Sequence, residues 1–264
     1  MDGKTIILNS KEFVFMAALL GESTVLGVDD PFLGWLAEQV EEEWQRLCPE
    51  MLKNGLIYAG TDGICGVGSE IDCYIRLCCS PDIWVSVAAF RQNEGNSSFV
   101  LNLGAREKRA VRIVKRHEEN GNLEICYGCY EQKESIEILS ALGIGKNFEN
   151  KGAGFDIPEK IFKTFSGSSV EEDISRLKDI IWDNNPELRH FLTDMKYPKA
   201  KLLINIGSMK AVSSGMTSFV LIEGEDSLWV VDYRDDKECP LISVMQSDAD
   251  GVANKLDNIT RLYL

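Results

Sequence analysis

Cysteine and histidine are the residue types in this chain that suit nucleophilic or metal chemistry. The sequence has eight cysteines and two histidines, His117 and His190. Cys126 and Cys129 form a C-x-x-C motif, but the segment Leu123 to Tyr130 around them has the composition of a β-strand. Side chains three positions apart in a strand point to opposite faces, so the two thiols cannot share a metal ion. We predict no metal site and no cofactor.

No motif in the sequence predicts a catalytic set. The nucleophile elbow G-x-S-x-G is absent, and residues 140–147 lack the first glycine and the Ser or Thr of a P-loop. The first nucleophile to test is Cys65, which lies in the glycine-rich segment Gly60 to Gly68 ahead of a predicted helix, with His117 or His190 as its base. We expect a protein that is not an enzyme, and a cysteine-dependent hydrolase or transferase stays an alternative.

The N-terminal segment and the cysteine usage predict a cytoplasmic protein. The first residues, MDGKTIILNSKEF, lack the basic and apolar regions of a signal peptide. The longest apolar run, Phe13 to Leu20, has eight residues, and a membrane span takes about 20. Without an export signal we expect reduced thiols and no membrane insertion. Cys78 lies on the apolar stripe of a predicted helix, which favours a place in the core.

The charge balance excludes one large class of partner. Lys and Arg number 28 and Asp and Glu number 42, so the formal net charge is −14 at pH 7. The negatively charged backbone of a nucleic acid attracts basic proteins, so we expect no nucleic-acid partner for this acidic chain. The single basic stretch, Arg106 to His117, is interpreted as the solvated face of a strand and its turn. The apolar share of 44% is that of an ordinary globular protein.

The first half of the chain predicts helices followed by strands. Apolar spacing and capping residues predict three helices: one capped by Asn9 or Ser10, a long one from Asp30-Pro31 to Asn54-Gly55, and one from about Ser69 to Cys79. Four strands with short connections then predict an antiparallel meander: Ile83 to Phe90, Ser98 to Leu103, Ala110 to His117 and Leu123 to Tyr130.

The second half predicts the same plan again. A helix over Gln132 to Leu142 and a glycine-rich linker over Gly143 to Gly154 lead into it. Further helices are predicted at Pro158 to Phe165, Ser169 to Asp183 and Pro186 to Met195, four strands at Lys201 to Ile206, Thr217 to Ile222, Leu228 to Tyr233 and Pro240 to Met245, and a last helix at Asp248 to Tyr263. We predict an α+β fold with an antiparallel β-sheet, helical bundles and two pseudo-symmetric halves.

A family resemblance adds to this reading of the residues. The first helix ends in Ala-x-Leu-Leu-Gly (Ala17 to Gly21), and the long helix ends in Leu52 to Ile57, followed by a short helix and a meander. This succession, the length and the acidic character resemble the EspG family of type VII secretion chaperones. The resemblance implies a single α+β domain over residues 1–264, with pseudo-repeat halves of about 1–150 and 151–264.

The resemblance implies a function without catalysis. A protein of this family would hold a secreted helical protein of the PE/PPE or WXG/LXG type in a soluble state and cover its apolar tip. The covering parts would be a hairpin, Arg91 to Ser97 or Gly104 to Arg109, and a helical bundle from Pro158 to Met195 with the last helix. The implied partner-binding residues are Arg91, Gln92, Asn93, Glu94, Asn96, Arg106 and Arg109. An antitoxin-like immunity protein, also an acidic binder of one partner, stays open.

Overall fold

One antiparallel sheet of ten strands organises the molecule. A computed structural model describes residues 3–61, 63, 65–115, 122–144, 148–149, 152, 154–162, 186–209, 215–234 and 240–264. Within these ranges the strands are β1 (Lys4–Asn9), β2 (Ile57–Ala59), β3 (Cys65–Val67), β4 (Ile83–Arg91), β5 (Gly95–Gly104), β6 (Arg109–Lys115), β7 (Asn122–Cys129), β8 (Gly154–Pro158), β9 (Ala200–Gly207), β10 (Thr217–Glu223), β11 (Leu228–Arg234) and β12 (Leu241–Ser247).

The helices of the same ranges are α1 (Ser10–Leu19), α2 (Ala37–Lys53), α3 (Ser69–Cys79), α4 (Glu134–Leu142), α5 (Glu159–Phe162), α6 (Pro186–Lys196) and α7 (Ala249–Thr260). None of these described helices is long and apolar enough to cross a membrane. The predicted helix from Ser169 to Asp183 falls outside the described residues.

The strand order β1-β7-β6-β5-β4-β9-β10-β11-β12-β8 shows two halves built on one plan. In each half a first strand leads into helices, a four-strand meander follows, and the last strand of the meander pairs with the first strand of that half. The halves meet where β4 and β9 pair antiparallel, with Trp84 opposite Gly207 and Arg91 opposite Ala200. The predicted α+β class with pseudo-symmetric halves is confirmed.

The two faces of the sheet are covered differently. The closed face, which carries Val85, Leu101, Ile204 and Leu221, lies under α4 and α7 in one buried cluster. Burial of each large apolar side chain there contributes about 1.5–3 kcal/mol. The opposite face, called the open face, is covered at its two flanks. Helices α1 to α3 pack over β6, β7 and β1, and α6 packs over β10 to β12.

Several predicted boundaries hold and others are wrong. Asn9 caps α1 as expected: its side chain accepts a hydrogen bond from the Lys11 N–H at 2.9 Å, and the Asn9 N–H donates to the Glu12 carboxylate at 2.8 Å. The long helix does not begin at Asp30-Pro31. Asp30 instead accepts the N–H of Phe32 within a turn, and α2 starts at Ala37.

Four strands, β1, β2, β3 and β8, were missed because their partners are distant in sequence or because glycines obscure them. The segment Gly60 to Gly68 contains β3, which pairs with β2, so it is not a simple connection. Lys4–Asn9 pairs with β7 and Gly154–Pro158 pairs with β12. The helix predicted from Pro158 to Phe165 starts one residue later, as α5, because Pro158 ends β8, and its residues 163–165 fall outside the described ones.

A largely buried carboxylate links helix α2 to helix α1. Glu43 of α2 lies 2.7 Å from Lys11 Nζ of α1, and Arg46 donates two hydrogen bonds of 2.8 Å to it. The Glu43 side chain is only 11% exposed. The hydrogen bonds from Arg46 and then Lys11 lower the pKa of Glu43 to about 2. This pair fixes α2 against α1.

We predict that Glu43→Gln lowers the free energy of unfolding by about 1 kcal/mol at pH 7. The folded-state pKa lies below the ordinary value of 4.5, so the stabilisation is complete above pH 4.5 and is lost as the pH falls toward 2. Urea unfolding at several pH values measures it. Glu42→Gln, at an exposed position on the same helix, should change little. A deficit that stays constant down to pH 3 would contradict the prediction.

A second buried carboxylate anchors α6 on the other flank. Asp194 is 7% exposed and accepts hydrogen bonds from Trp229 Nε1 at 2.8 Å and from the Ser227 hydroxyl. A Cβ added to Gly224 would lie 2.4 Å from the Asp194 carboxyl carbon. The helix therefore sits tightly on the turn between β10 and β11.

Trp229→Phe tests this anchor, because the phenyl ring fills most of the site and leaves the Asp194 carboxylate without its indole donor. We expect a loss in unfolding free energy that exceeds the loss in Trp84→Phe by about 2 kcal/mol. Trp84, half-buried against Gly207, serves as the matched control. Chemical denaturation of both variants gives the comparison, and equal losses would show that the indole hydrogen bond contributes nothing.

Candidate functional site

The centre of the open face is an exposed apolar surface. Phe90 of β4 is 43% exposed and Leu203 of β9 is 44% exposed, and Ala88, which lies directly opposite Leu203, is exposed as well. An antiparallel sheet normally presents polar side chains on the face that meets water. Contiguous apolar side chains in such a place are typical of a binding surface.

These residues line a cleft of about 460 Å³. We call it the central trough. Its lining consists of Ala88, Ala89, Phe90, Asn96, Ser97, Lys201, Leu203, Val220 and Tyr233. It crosses strands β5, β4, β9, β10 and β11, which at about 4.8 Å between neighbours span about 19 Å.

Helical layers cover the open face on either side of the trough. On one side, the backbone at Gly27 lies so close to β5 that an added Cβ would stand 2.8 Å from the Cβ of Val100. Gly27 also has φ of +89°. Both the close approach to Val100 and this left-handed backbone conformation therefore require glycine at this position. The neighbouring Leu26 N–H donates to the carbonyl of Cys78 in α3 at 2.9 Å. On the other side, α6 packs on Ile222 of β10.

The hairpin between β4 and β5 brings part of the implied partner-binding set to one end of the trough. Gln92, Asn93 and Glu94 form its exposed turn, and Asn96 lines the trough itself. Arg91 is placed differently. Its side chain donates to the carbonyl of Leu142 at 2.6 Å, at the C-terminus of α4, where a cation is favourable.

Arg106 and Arg109 lie at the opposite end of the sheet. Arg106 lies in the turn after β5 and Arg109 begins β6. The ten residues of β5 place both about 30 Å from the β4–β5 hairpin. Arg109 borders a separate cleft of about 290 Å³ that also holds Arg76, Asp82 and Glu107. The structure therefore does not bring the implied set together, and partner binding by its members stays a prediction.

The sequence reasoning missed the apolar members of the trough. Its four large apolar residues lie in predicted strands and have no predicted role in binding: Phe90, Leu203, Val220 and Tyr233. One signal was present: the strand IWVSVAAFR has apolar residues in both registers, although only one face of a meander in a two-layer fold needs them.

The thiols and histidines do not assemble a catalytic site in the described residues. Cys65 lies on β3 beside Cys48 of α2, whereas His190 lies on α6 in the other half, 3.3 Å from both Asp194 and Asp226. His117 and Cys239 fall outside the described residues. Ser227 donates to Asp194 and is fully buried, so it is no nucleophile for His190.

The remaining described cysteines range from buried to exposed. Cys78 is fully buried, as expected, and burial raises its pKa well above the ordinary thiol value. Burial also raises the pKa of Cys79 to about 12. Cys126 is half-buried and Cys129 is exposed. In the described part of the chain, no three His, Cys, Asp or Glu side chains are grouped to hold a metal ion.

Comparison with known proteins rests on the fold. No family model matches the chain, and no curated protein matches it. Among solved structures, it is similar to the Mycobacterium tuberculosis type VII secretion system chaperone EspG5, determined in complex with a PE25–PPE41 dimer. The TM-score is 0.65 at 13% sequence identity, over 96% of this chain and 95% of that chain. At this identity the likeness shows that the chain has an EspG-like fold.

Proposed function

We propose that this protein is a cytoplasmic chaperone that binds a secreted helical protein by its apolar tip and keeps it soluble before export. The observation that carries the proposal is the exposed apolar floor of the central trough, with Phe90 and Leu203 each more than 40% exposed. A partner that covers this floor removes its apolar surface from water, which is the main driving force for association.

The dimensions of the trough favour a helical partner. An α-helix with its side chains is about 10–12 Å across, and the five strands of the floor span about 19 Å. One helix, or the turn that joins two helices, therefore fits across the floor. Recognition would follow the helix-in-groove mode, in which a few apolar side chains anchor an amphipathic helix.

The fold supports the same assignment. The chain shares its architecture with a chaperone solved together with a PE/PPE dimer. By analogy we infer a type VII secretion substrate, of the PE/PPE or WXG/LXG kind, as the partner. The arrangement of Cys65 and His190 in different halves gives the hydrolase alternative no support in the described residues.

Leu203→Asp tests the proposal, because it places a carboxylate on the apolar floor. We expect affinity capture of the tagged wild-type protein from its host to yield one helical secreted protein in equal amount. Leu203→Asp should lose that protein, since it replaces an apolar anchor by a carboxylate that must be desolvated on docking, which costs at least about 2 kcal/mol, or roughly 30-fold in affinity.

The matched control is Leu262→Asp, the same substitution at a side chain that is 72% exposed and outside the trough. It should retain the partner. Equal capture by both variants would contradict docking in the trough. A captured toxin domain, silenced by binding, would instead support the immunity-protein alternative.

A further inference from the structure

We propose that the tip which docks in the central trough carries a carboxylate, and that this carboxylate pairs with the ammonium group of Lys201. This inference rests on the proposed function and specifies the chemistry of the partner. It makes Lys201 a specificity-determining residue, in addition to the apolar anchors of the floor.

The placement of Lys201 is set by the register of the central strands. On β9 it lies opposite Phe90 of β4 and opposite Ile222 of β10, and Leu203 follows two residues later on the same face. Its side chain is exposed and lines the trough. The Lys201 side chain therefore lies beside two exposed apolar side chains, Phe90 and Leu203.

Lys201 is the one charged side chain among the described residues that line the trough. Neighbouring cations are engaged elsewhere: Arg91 donates to the Leu142 carbonyl, and Lys199 donates to the carbonyl of Glu225 at 3.0 Å. Within the described parts of the chain, Lys201 takes part in no ion pair or side-chain hydrogen bond. Among the described residues nothing offsets its charge, so a docked partner can supply the opposite charge.

The energetics of covering the trough lead to the carboxylate. An ammonium group that is buried without a partner costs several kcal/mol, so a wholly apolar tip would be penalised for closing over Lys201. A tip with Asp or Glu at that point converts the penalty into a charge-assisted hydrogen bond. A tip with Lys or Arg there would be rejected by like-charge repulsion. Lys201 thus selects among helical tips that are equally apolar.

The test is a selection with a defined probe. A displayed library of two-helix hairpins, randomised at six positions of the connecting turn and flanking helix ends, is selected for binding to purified wild-type protein and to variants. We expect wild-type protein to enrich apolar tips that contain Asp or Glu at least about five-fold over the starting library. Lys201→Glu should reverse the preference to Lys or Arg, and Lys201→Met should remove it.

Two controls make each outcome decisive. Lys199→Glu reverses a charge two residues away that does not line the trough, and it should keep the wild-type preference. A selected acidic tip should bind Lys201→Met about 10-fold more weakly than wild-type protein.

Apolar tips that depend on Leu203 but show no preference for Asp or Glu would overturn this inference and leave the proposed function in place. Failure to enrich any tip that Leu203→Asp abolishes would overturn both. Circular dichroism and urea unfolding establish that each variant is folded before selection.

Discussion

The antiparallel pairing of β4 with β9 is the constraint on which the rest of the structure depends. It joins two meanders, which the chain forms separately, into one continuous sheet. Helices α4 and α7 then pack side by side over the closed face of the junction. The other helices belong to the outer strands of each half, so the centre of the open face is left between them. The trough is a consequence of how the halves are joined.

The exposed apolar centre of the open face is unfavourable as long as the folded protein has no partner. Side chains such as Phe90 and Leu203 gain little from folding while they stay in water, and they favour association. The sheet keeps them rigid because each alternates with a fully buried residue of the closed face, such as Val87 or Ile204. A rigid floor loses little conformational entropy on binding, which favours affinity for a preformed helix.

Much of the fold could be predicted from sequence because its signals are local. Short turns between β-rich segments indicated both meanders, and Asn9 marked the start of α1. Strands β1 and β8 could not be found in this way, since each pairs with a strand more than 80 residues away. The trough could not be predicted from the sequence either. Whether Leu203 is buried or exposed depends on which part of the open face α6 covers, and that is a property of tertiary packing.

Lys201 matters because its charge, unlike those of the carboxylates that hold the helices, has no partner among the described residues. In the helical layers on either side of the open face, the carboxylates that hold the helices have partners: Glu43 has Lys11 and Arg46, and Asp194 has Trp229 and Ser227. The floor of the trough holds Lys201, which pairs with no other described residue, among apolar side chains. Hydrophobic contact is poorly selective among helical partners, whereas a desolvated charge discriminates strongly between a correct and an incorrect partner. Affinity would therefore come from the apolar floor, and selectivity from the single ammonium group within it.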